Sequence, residues 1–293
     1  MYNNPQLTDT TMSKIKVTPE EFRSFSKYIL DISGIALSAG KEYLLETRLS
    51  PMLNRLGCRS YGELLKKAQF DAKKELENEI IDAISTNETY FFRDKSPFQL
   101  LQHKILPDLI DKRTQRTSGL KPNIRLWSAA NSTGQEIYSI AMTLLEMGVT
   151  PKNYNIRLFG TDISDAAIAQ ASYGLYNKFE VARGLEPAKL TRYFTPHGDR
   201  YKIKDEIRSM AQFKKMNLMK PFVGMGKFDI VLCRNVMIYF TPQDRRRIYE
   251  NIAKTLEPDG YLIIGATESL VNDTDLFTSQ KYLNSVFYQF KNQ

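Results

Sequence analysis

Ile124-Arg-Leu-Trp-Ser-Ala-Ala-Asn-Ser-Thr-Gly-Gln-Glu-Ile-Tyr138 has the pattern of a buried strand, a tight turn and the start of a helix. Its apolar part, Ile124 to Trp127, is followed by small residues as far as Gly134. Apolar residues then recur at helical spacing before Gly148: Ile137, Ile140, Ala141, Leu144 and Leu145. This order predicts the beginning of a doubly wound α/β sheet, where the backbone can approach a ligand closely.

The turn indicates which ligand such a site would accept. It holds one glycine, Gly134, where the dinucleotide fingerprint G-x-G-x-x-G has three. Glu136 lies beside the helix N-terminus, where its charge would repel a pyrophosphate. A nucleoside without phosphates, or one that carries positive charge, is therefore favoured, and S-adenosylmethionine (SAM) meets both conditions. An ordinary strand-turn-helix unit remains the alternative, since such units occur in every α/β domain.

Composition restricts the class of protein and of partner. The chain has 293 residues, 42% of them hydrophobic and 25% charged, which is typical of a globular protein with one large and one small domain. No apolar run approaches the length of a membrane span, so we predict no membrane insertion. The net charge of +8 favours an acidic partner, whether nucleic acid, a membrane surface or an anionic protein segment.

Cysteine and histidine are scarce. The two cysteines, Cys58 and Cys233, lie in unrelated segments without metal-ligand spacing, so we predict a reduced, cytoplasmic protein that binds no metal. The two histidines are His103, in a helical pattern, and His197, in a turn. Neither is expected to be catalytic, so we do not expect a mechanism that depends on acid–base catalysis by histidine.

The N-terminal part is predicted to be helical. Residues 1–17 have the composition of a disordered tail. Residues 18–90 are predicted to form a small all-α domain, which begins with a capping box made by Thr18 and Glu21. Further helical patterns follow, and the last of them ends near Ile84.

A basic row lies along the second predicted helix, about residues 41–56. Lys41, Arg48 and Arg55 recur at seven-residue spacing, which places them along one edge of its apolar stripe. Such a row is usually a solvated face, but an edge with only positive charge can also dock an acidic helix. Pro51 adds a further alternative, because a kink or a restart there would take the row out of line.

The segment Thr86-Asn-Glu-Thr-Tyr-Phe-Phe-Arg93 joins this domain to the rest of the chain. Its three consecutive aromatic residues fit an apolar hinge between domains. Arg93 and the hydroxyl and amide groups before it are hard to explain as core. The wall of a ligand site is therefore the alternative interpretation of this segment.

Residues 91–293 carry the α/β pattern, with five predicted strands and a final sixth. Polar residues follow the second, third and fourth strands: Asp162, Asn217, Arg234 and Asn235, with Tyr239 close behind. An acid after the second strand commonly accepts hydrogen bonds from ribose hydroxyls, so Asp162 is a candidate for that role. Residues 175–212 contain two β-rich pieces around a tight turn, which predicts a small antiparallel insertion.

Five motifs occur in a fixed order along the chain. They are Thr86-Asn-Glu-Thr-x-Phe-Phe-Arg93, Trp127-Ser-Ala-Ala-x-Ser-Thr-Gly-x-Glu136 with Tyr138-Ser139, Gly160-Thr-Asp-Ile163, Asn217-Leu218, and Cys233-Arg-Asn-Val-Met-Ile-Tyr-Phe240. Together they resemble the CheR-type chemotaxis receptor methyltransferases over about residues 18–290. The resemblance implies a Rossmann-like class I methyltransferase domain with a small antiparallel β-subdomain, preceded by an all-α N-terminal domain. It also implies transfer of a methyl group from SAM to glutamate carboxylates of chemoreceptors, which sets receptor adaptation.

The resemblance implies roles for individual residues as well. Those implied to bind the cofactor are Asn87, Thr89, Arg93, Glu136, Asp162, Asn217, Leu218, Arg234 and Asn235. Tyr239 would lie near the transferred methyl group, and Arg93 would orient a carboxylate, either of the substrate or of the cofactor. The sequence departs from the family pattern at Asn131, Gln135 and Ile137, where a cysteine, an acid and a proline are usual.

The implied chemistry suits these residues. A glutamate carboxylate is nucleophilic at neutral pH and the sulfonium is an activated leaving group, so methyl transfer needs no general base. The product would be S-adenosylhomocysteine (SAH), and no metal is required. Alignment of the two reacting groups can contribute about 7–11 kcal/mol. Arg93 and Tyr239 are therefore the catalytic candidates.

The expected partners are the cytoplasmic domains of methyl-accepting chemoreceptors, bound by a monomer through Lys41, Arg48 and Arg55. In the family, members that grip a receptor's C-terminal peptide tend to have a longer, glycine-rich loop in the β-subdomain. The short connection between Phe194 and Tyr201 predicts that recognition here does not depend on that peptide.

Two other functions remain as alternatives. The first is a nucleic-acid methyltransferase, but the Asn/Asp-Pro-Pro-aromatic motif of many such enzymes is replaced by Arg234-Asn-Val-Met. We therefore predict no nucleic-acid partner. The second is a non-catalytic binding or sensor module with a methyltransferase-like fold, which would be expected to lose the acids that Glu136 and Asp162 retain.

Overall fold

The computed structural model describes residues 15–116 and 120–291, which form two compact units. The first unit contains the described residues up to Ile32 together with Leu37–Ile84. The second contains Ser33–Ala36 and the described residues from Ser85 onward. The tail predicted for residues 1–17 lies outside the described residues except for its last three. Within the described ranges, no helix is long and apolar enough to cross a membrane.

The first unit is all-α in its described residues. Its helices are α1 Pro19–Ser33, α2 Glu42–Arg55, α3 Tyr61–Phe70 and α4 Glu75–Ile84. The predicted capping box is confirmed, because Thr18 Oγ1 accepts a hydrogen bond from the Glu21 N–H (3.2 Å) and the Glu21 carboxylate accepts one from the Thr18 N–H (2.9 Å). α2 runs through Pro51, so the alternative of a restart there is wrong, and Arg48 and Arg55 share one helix.

The described part of the second unit contains a seven-stranded sheet and a three-stranded sheet. The strands are β1 Asn123–Ala129, β2 Asn155–Asp162, β3 Leu175–Asn177, β4 Phe194–His197, β5 Arg200–Ile203, β6 Ala211–Lys215, β7 Phe228–Cys233, β8 Leu256–Ile264, β9 Phe277–Tyr282 and β10 Ser285–Phe290. The larger sheet has the order β6-β2-β1-β7-β8-β10-β9. Its first five strands are parallel, and β10 and β9 are antiparallel to their neighbours, so the sheet is doubly wound and Rossmann-like with an antiparallel edge.

The described part of the second unit also contains eight α-helices and two short helical turns. The helices are α5 Ser96–Leu100, α6 Leu106–Arg116, α7 Gln135–Glu146, α8 Asp165–Tyr173, α9 Lys178–Ala182, α10 Pro187–Tyr193, α11 Asp205–Arg208 and α12 Pro242–Thr255, with a π-helical turn at Leu101–Ile105 and a 3-10 turn at Met237–Tyr239. The larger helices α6, α7 and α12 pack on the larger sheet. Leu126 and Ile230 enter the core shared with α6 and α7, whereas Trp127 and Val231 enter the core shared with α12. Successive side chains of a strand point to opposite faces, so alternate residues fill the two cores.

The predicted α/β elements are found, with changes at their ends. β8 begins at Leu256, not after Gly260, because its first residue already pairs with the start of β7. The sequence did not predict β9, an edge strand whose four central residues are exposed and show no alternation. The smaller sheet, in the order β3-β5-β4, is the predicted antiparallel insertion and spans residues 175–203. Gln212, where the insertion was predicted to end, lies in β6.

Candidate active site

Three neighbouring parallel strands of the larger sheet end side by side. Ala129, the last residue of β1, pairs with Thr161 of β2 and with Cys233 of β7. The end of β6 joins them, because the Met216 N–H donates to the Asp162 carbonyl (2.8 Å). We call this side of the sheet the carboxyl edge. Ligands of open α/β sheets bind outside the carboxyl ends of the strands, and four of the five motifs meet here.

The turn after β1 adopts left-handed backbone conformations. Ala130, Ser132 and Gly134 have φ values of 56°, 54° and 96°. A side chain at position 134 is also excluded by space, because a Cβ would lie 2.9 Å from the Cβ of Ala171. α7 begins at the next residue, so the unpaired N–H groups of its first turn lie at the carboxyl edge.

Asp162 fastens this turn to the end of β2. One carboxylate oxygen accepts a hydrogen bond from the Ser132 N–H (2.8 Å) and the other accepts one from the Ser164 N–H (3.0 Å). Asp162 is buried. A carboxylate has about four lone-pair sites, so accepting two N–H groups does not by itself preclude hydroxyl donors from a ligand. Asp162 thus positions the turn, a role that the sequence did not suggest.

Arg234 is the centre of a buried ion network. Its guanidinium donates to the Glu136 carboxylate, to the Asp94 carboxylate (3.0 Å) and to the Arg93 carbonyl (2.9 Å). Ser128 Oγ donates to the second oxygen of Glu136 (2.8 Å). One cation thus faces two carboxylates. A positively charged ligand at this edge would offset the excess negative charge.

The segment before this network has an apolar side and a polar side. Phe91 is fully buried and packs edge-on against Tyr176 and Phe194, with ring centroids 5.0 and 5.5 Å away. The Asn87 carbonyl accepts a hydrogen bond from Ser132 Oγ (3.0 Å), which brings Asn87 to the turn after β1. The segment therefore packs Phe91 into the core and brings Asn87 to the turn after β1, and its role as the wall of a ligand site stays a prediction.

Arg93 and Thr89 belong to the polar side of the segment. The Arg93 guanidinium donates to the Glu88 carbonyl (2.9 Å) and lies 5.9 Å from the centroid of the Tyr90 ring. Thr89 is half-buried. A guanidinium has about five N–H groups, so one hydrogen bond to a carbonyl leaves donors for a carboxylate.

Asn217 and Leu218 lie two and three residues after the end of β6. Asn217 Oδ1 accepts a hydrogen bond from the Met219 N–H (2.9 Å), which forms a tight local turn. Leu218 is buried in the core that contains Trp127. Asn217 therefore lies at the carboxyl edge, and Leu218 packs mainly in the core beneath it.

Glu268 is a site residue that the sequence reasoning missed. Its carboxylate accepts hydrogen bonds from the N–H groups of Asn235 (2.9 Å), Met237 (3.2 Å) and Gly265 (2.7 Å). It thereby holds the loop after β7, with Asn235 at a φ of 56°, against the end of β8. A Cβ at position 265 would lie 2.6 Å from Glu268 Oε2, so the clamp requires glycine there. The available signal was an acid three residues after the fifth predicted strand.

Tyr239 ends the short 3-10 turn that follows this loop. It is half-buried, and its carbonyl accepts a hydrogen bond from the Ala36 N–H (2.9 Å). Cys233 precedes the loop and is buried, and this burial raises the pKa of its thiol well above the usual value. The thiol stays protonated at neutral pH, so Cys233 supplies packing and not a nucleophile.

Strained backbone is concentrated around these groups. Of the eight non-glycine residues with positive φ in the described chain, six lie in three segments of the site: Phe92, Asp94, Lys95, Ala130, Ser132 and Asn235. Each such residue costs about 1–3 kcal/mol and persists only where the surrounding structure fixes it. Strain gathered in three separate loops at one edge is typical of a ligand site.

Asn131 leaves an unsatisfied amide in the turn after β1. The residue is 2% exposed, and neither Oδ1 nor Nδ2 has a hydrogen-bond partner among the described residues. Buried side-chain amides nearly always have a hydrogen-bond partner, so Oδ1 and Nδ2 of Asn131 are available to a ligand group or to an ordered water. SAM offers both donors and acceptors and carries positive charge, so Asn131 and the excess charge of the ion network fit this cofactor. The sequence reasoning noted Asn131 only as a departure from the family pattern.

The basic row of the first unit is partly occupied by internal contacts. Arg48 donates to the Ile84 carbonyl at the end of α4, and Arg55 forms an ion pair with Glu79 of α4. Lys41 is exposed and immediately precedes α2. Two of the three predicted substrate-binding residues therefore help to hold α2 against α4.

Comparison with known proteins adds the following similarities. The family described as "CheR methyltransferase, SAM binding domain" matches residues 87–285, and "CheR methyltransferase, all-alpha domain" matches residues 20–85. "Chemotaxis protein methyltransferase" of Vibrio parahaemolyticus is 37% identical over 286 residues, which cover 96% of this chain and 100% of that protein. "Chemotaxis protein methyltransferase 1" of Pseudomonas aeruginosa is 36% identical and covers 92% of this chain and 98% of that protein.

Proposed function

The chain belongs to the CheR family of SAM-dependent methyltransferases, and we propose that it methylates glutamate side chains in the cytoplasmic domains of chemoreceptors. The names of relatives that match nearly the whole chain support this class of substrate. The observation that carries the proposal is the carboxyl edge itself. There, the ion network centred on Arg234 has excess negative charge, and the side-chain amide of Asn131 has no partner among the described residues. The carboxylate of Asp162 holds the same turn and follows the second strand of the sequence pattern, where an acid commonly binds ribose hydroxyls.

The residues of this edge would divide the binding of the cofactor between them. When bound, SAM supplies an electrophilic methyl group. Asp162 and Asn131 would hold the nucleoside, and Asn217 and Asn235 would flank it. The network centred on Arg234 would stabilise the positive charge, because its two carboxylates exceed its single cation.

Asp162 offers a direct test of cofactor binding. Asp162→Ala should raise the Kd for SAM roughly 10- to 100-fold, since losing the partner of a buried hydroxyl costs about 1–3 kcal/mol. Titration calorimetry on the purified chain measures this. Asp165→Ala, a change of the exposed aspartate at the start of α8, is the matched control and should leave the affinity unchanged. Equal affinities for both variants would remove Asp162 from the site.

The transfer step would depend on alignment. A receptor carboxylate oxygen would attack the methyl carbon in line with the carbon–sulfur bond, whose electron pair leaves with the sulfur. One C–O bond forms, one C–S bond breaks and no proton moves, so no general base is needed. Arg93 would orient the carboxylate and Tyr239 would assist by a hydrogen bond. Fixed geometry and exclusion of water would supply the rate enhancement.

Arg93 can be tested by separating turnover from binding. If it orients the substrate, Arg93→Ala should lower kcat about hundredfold and leave the Kd for SAM nearly unchanged. Arg183→Ala is the matched control, because the Arg183 guanidinium lies over the same Tyr90 ring (4.4 Å) and pairs with Glu88. A collapse of SAM affinity in Arg93→Ala would assign Arg93 to the cofactor instead.

The reaction itself is tested with labelled SAM and receptor-containing membranes. We expect label in the receptor that is released as methanol by base, which identifies a carboxyl ester. A receptor whose methylation-site glutamates are replaced by alanine is the control and should accept no label. A base-stable product would indicate N-methylation, and SAM binding without transfer to any receptor would indicate a binding module.

For docking, we propose that the basic row meets the acidic methylation helix of the receptor. Lys41 is the most informative position, because Arg48 and Arg55 also contact α4 and their loss would disturb the first unit. Lys41→Glu should slow methylation, and the wild-type rate should fall as salt rises, while SAM affinity stays constant. Lys66→Glu, on the exposed side of α3, is the control.

The β-subdomain is proposed not to tether a receptor tail. β4 and β5 are joined by a two-residue turn, Gly198-Asp199, which gives an added peptide strand little edge or pocket. Removal of the receptor's C-terminal tail should therefore change the methylation rate little. A large loss of rate on tail removal would show that this subdomain does the tethering.

A further inference from the structure

A second polar cavity lies at the opposite edge of the larger sheet, where β1 and β2 begin. Its volume is about 430 Å³, and its lining includes four arginines, two asparagines and two acids. The two asparagines, Asn123 and Asn155, are register partners on β1 and β2 and share a hydrogen bond (2.6 Å). We call this site the amino-edge cavity. None of its lining residues belongs to the site described above.

The acids near this cavity are already matched by cations. Arg113 donates from Nε to Asp229 (2.8 Å) and makes a two-pronged pair with Asp259 (2.8 and 2.9 Å). Arg116, at the end of α6, lies 3.3 Å from the same Asp259. Asp229 and Asp259 therefore cannot serve as counter-charges for the remaining arginines. Only Glu257 on the cavity wall could offset part of their charge.

Arg125 and Arg157 remain as an unbalanced pair. They are register partners on the parallel strands β1 and β2, so their side chains leave the same face of the sheet side by side. Like charges directly opposite each other destabilise a sheet. Within the described residues, neither guanidinium has a carboxylate within ion-pair distance. Among the described residues, no anion within ion-pair distance therefore balances the positive charge of these two guanidinium groups.

Arg125 is also held in place for a ligand. Its guanidinium lies 4.9 Å from the centroid of the Phe228 ring and donates to the Met225 carbonyl (2.8 Å). Its Nε is buried and has no acceptor among the described residues. A stacked guanidinium with an unused donor loses little freedom when it binds an oxyanion.

We propose that the amino-edge cavity binds a small phosphate monoester, whose oxygens bridge Arg125 and Arg157. A phosphate monoester carries close to two negative charges at neutral pH and is attracted by Arg125 and Arg157, neither of which has an ion-pair partner among the described residues. Guanidinium groups bind phosphate through paired hydrogen bonds. The cavity lies within the range of about 300–1,000 Å³ that is usual for small-molecule sites, so it has room for an organic body beyond the phosphate. The proposal is independent of methyl transfer, because it concerns the opposite edge of the sheet.

The test is titration calorimetry of the whole chain with uridine monophosphate, in low salt and with saturating SAH. This probe lacks adenine, so it does not imitate the cofactor. We expect binding at one site, and Arg157→Gln should weaken it at least about tenfold. Arg157 is exposed, so the variant should fold normally, and its SAM affinity should be unchanged. Arg59→Gln, at an exposed arginine of the first unit, is the matched control and should bind like the wild type.

Three results would overturn the proposal. The first is the absence of binding by the wild type, and the second is an equal loss in Arg157→Gln and Arg59→Gln, which would show only a general effect of charge. The third is binding of uridine as tight as that of its monophosphate. A thermal melt gives an independent readout: the probe should raise the Tm of the wild type but not that of Arg157→Gln.

Discussion

Two buried arginines lie at opposite ends of β7, and each is bound by two carboxylates. Near the start of the strand, Arg113 pairs with Asp229 and Asp259, and just after its end Arg234 pairs with the two acids of the ion network. Nε of Arg113 donates to Asp229 at 2.8 Å. Nε of Arg234 is buried and has no acceptor within the described residues.

The same combination of one arginine and two carboxylates therefore serves a different purpose at each end of β7. At Arg113 the Nε donor and both carboxylates have hydrogen-bond partners, and a buried network that is fully satisfied makes the structure rigid. At Arg234 the neighbours Asp94 and Asn235 have strained backbone, with φ values of 65° and 56°, and a donor remains unused. A cluster that does not satisfy itself keeps charge and donors for a ligand, at a cost in stability.

The largest expected effect tests this contrast directly. Arg113→Leu would leave Asp229 and Asp259 without their main cation, so the free energy of unfolding should fall by about 3–5 kcal/mol in urea titrations. The Kd of the folded protein for SAM should not change. The matched variant Arg234→Leu also leaves two carboxylates without their cation, but it should in addition raise that Kd at least about tenfold. The contrast fails if both variants lose SAM affinity equally, or if Arg113→Leu costs less than about 1 kcal/mol.

A second effect is expected in acid. Hydrogen bonds from Arg113 lower the pKa of Asp259 from its usual 3.8 to about 2. Because the pKa is lower in the folded chain, this carboxylate stabilises the fold above pH 3.8, and its contribution is lost as the pH falls from 3.8 towards 2. We expect the stability advantage of the wild type over Asp259→Asn to shrink by about 2 kcal/mol over that window. An advantage that stays constant with pH would contradict the assigned coupling.

The smallest effect concerns the unsatisfied amide of Asn131. In the absence of ligand, Asn131→Ala removes a buried polar group without a partner, so the free energy of unfolding should stay equal or rise by about 1 kcal/mol. The Kd for SAM should rise by up to about tenfold, because a bound partner is lost. Asn177→Ala is the matched control: it removes the cap of α9 and should cost about 1 kcal/mol of stability without affecting SAM. A loss of stability in Asn131→Ala would show that the amide is satisfied within the protein.

Much of the fold could be predicted because its signals are local. The capping box at Thr18 and the strand, turn and helix around Gly134 are set by neighbouring residues, and the structure contains both. Pro51 left a restart of the helix open as an alternative, and tertiary packing decides against it: Leu49, Met52 and Leu53 on either side are buried, and their packing keeps α2 continuous. The exposed edge strand β9 gave no alternation to detect.

The residues of the candidate site that belong to sequence motifs could be predicted. Asp162, Glu136 and Arg234 follow or face strand ends, and the parallel sheet brings such residues together. Glu268 was missed because its hydrogen bonds go to backbone N–H groups, so the residue types of its partners give no signal and only its position after the fifth predicted strand could have indicated it. The partner of Arg55 was also unpredictable, since Glu79 comes from another helix and only tertiary packing brings the two together.

The burial of Cys233 has a practical consequence for spectroscopy. Cys58, the other cysteine of the chain, is buried as well, and both are free thiols. Labelling reagents require an accessible thiolate, so they should react with neither native residue in the folded protein. Cysteines introduced at exposed Thr47 of α2 and exposed Lys178 of α9 would then carry a pair of fluorophores or spin labels without any prior removal of native thiols. Such a pair would report the distance between the two units in solution, with and without cofactor.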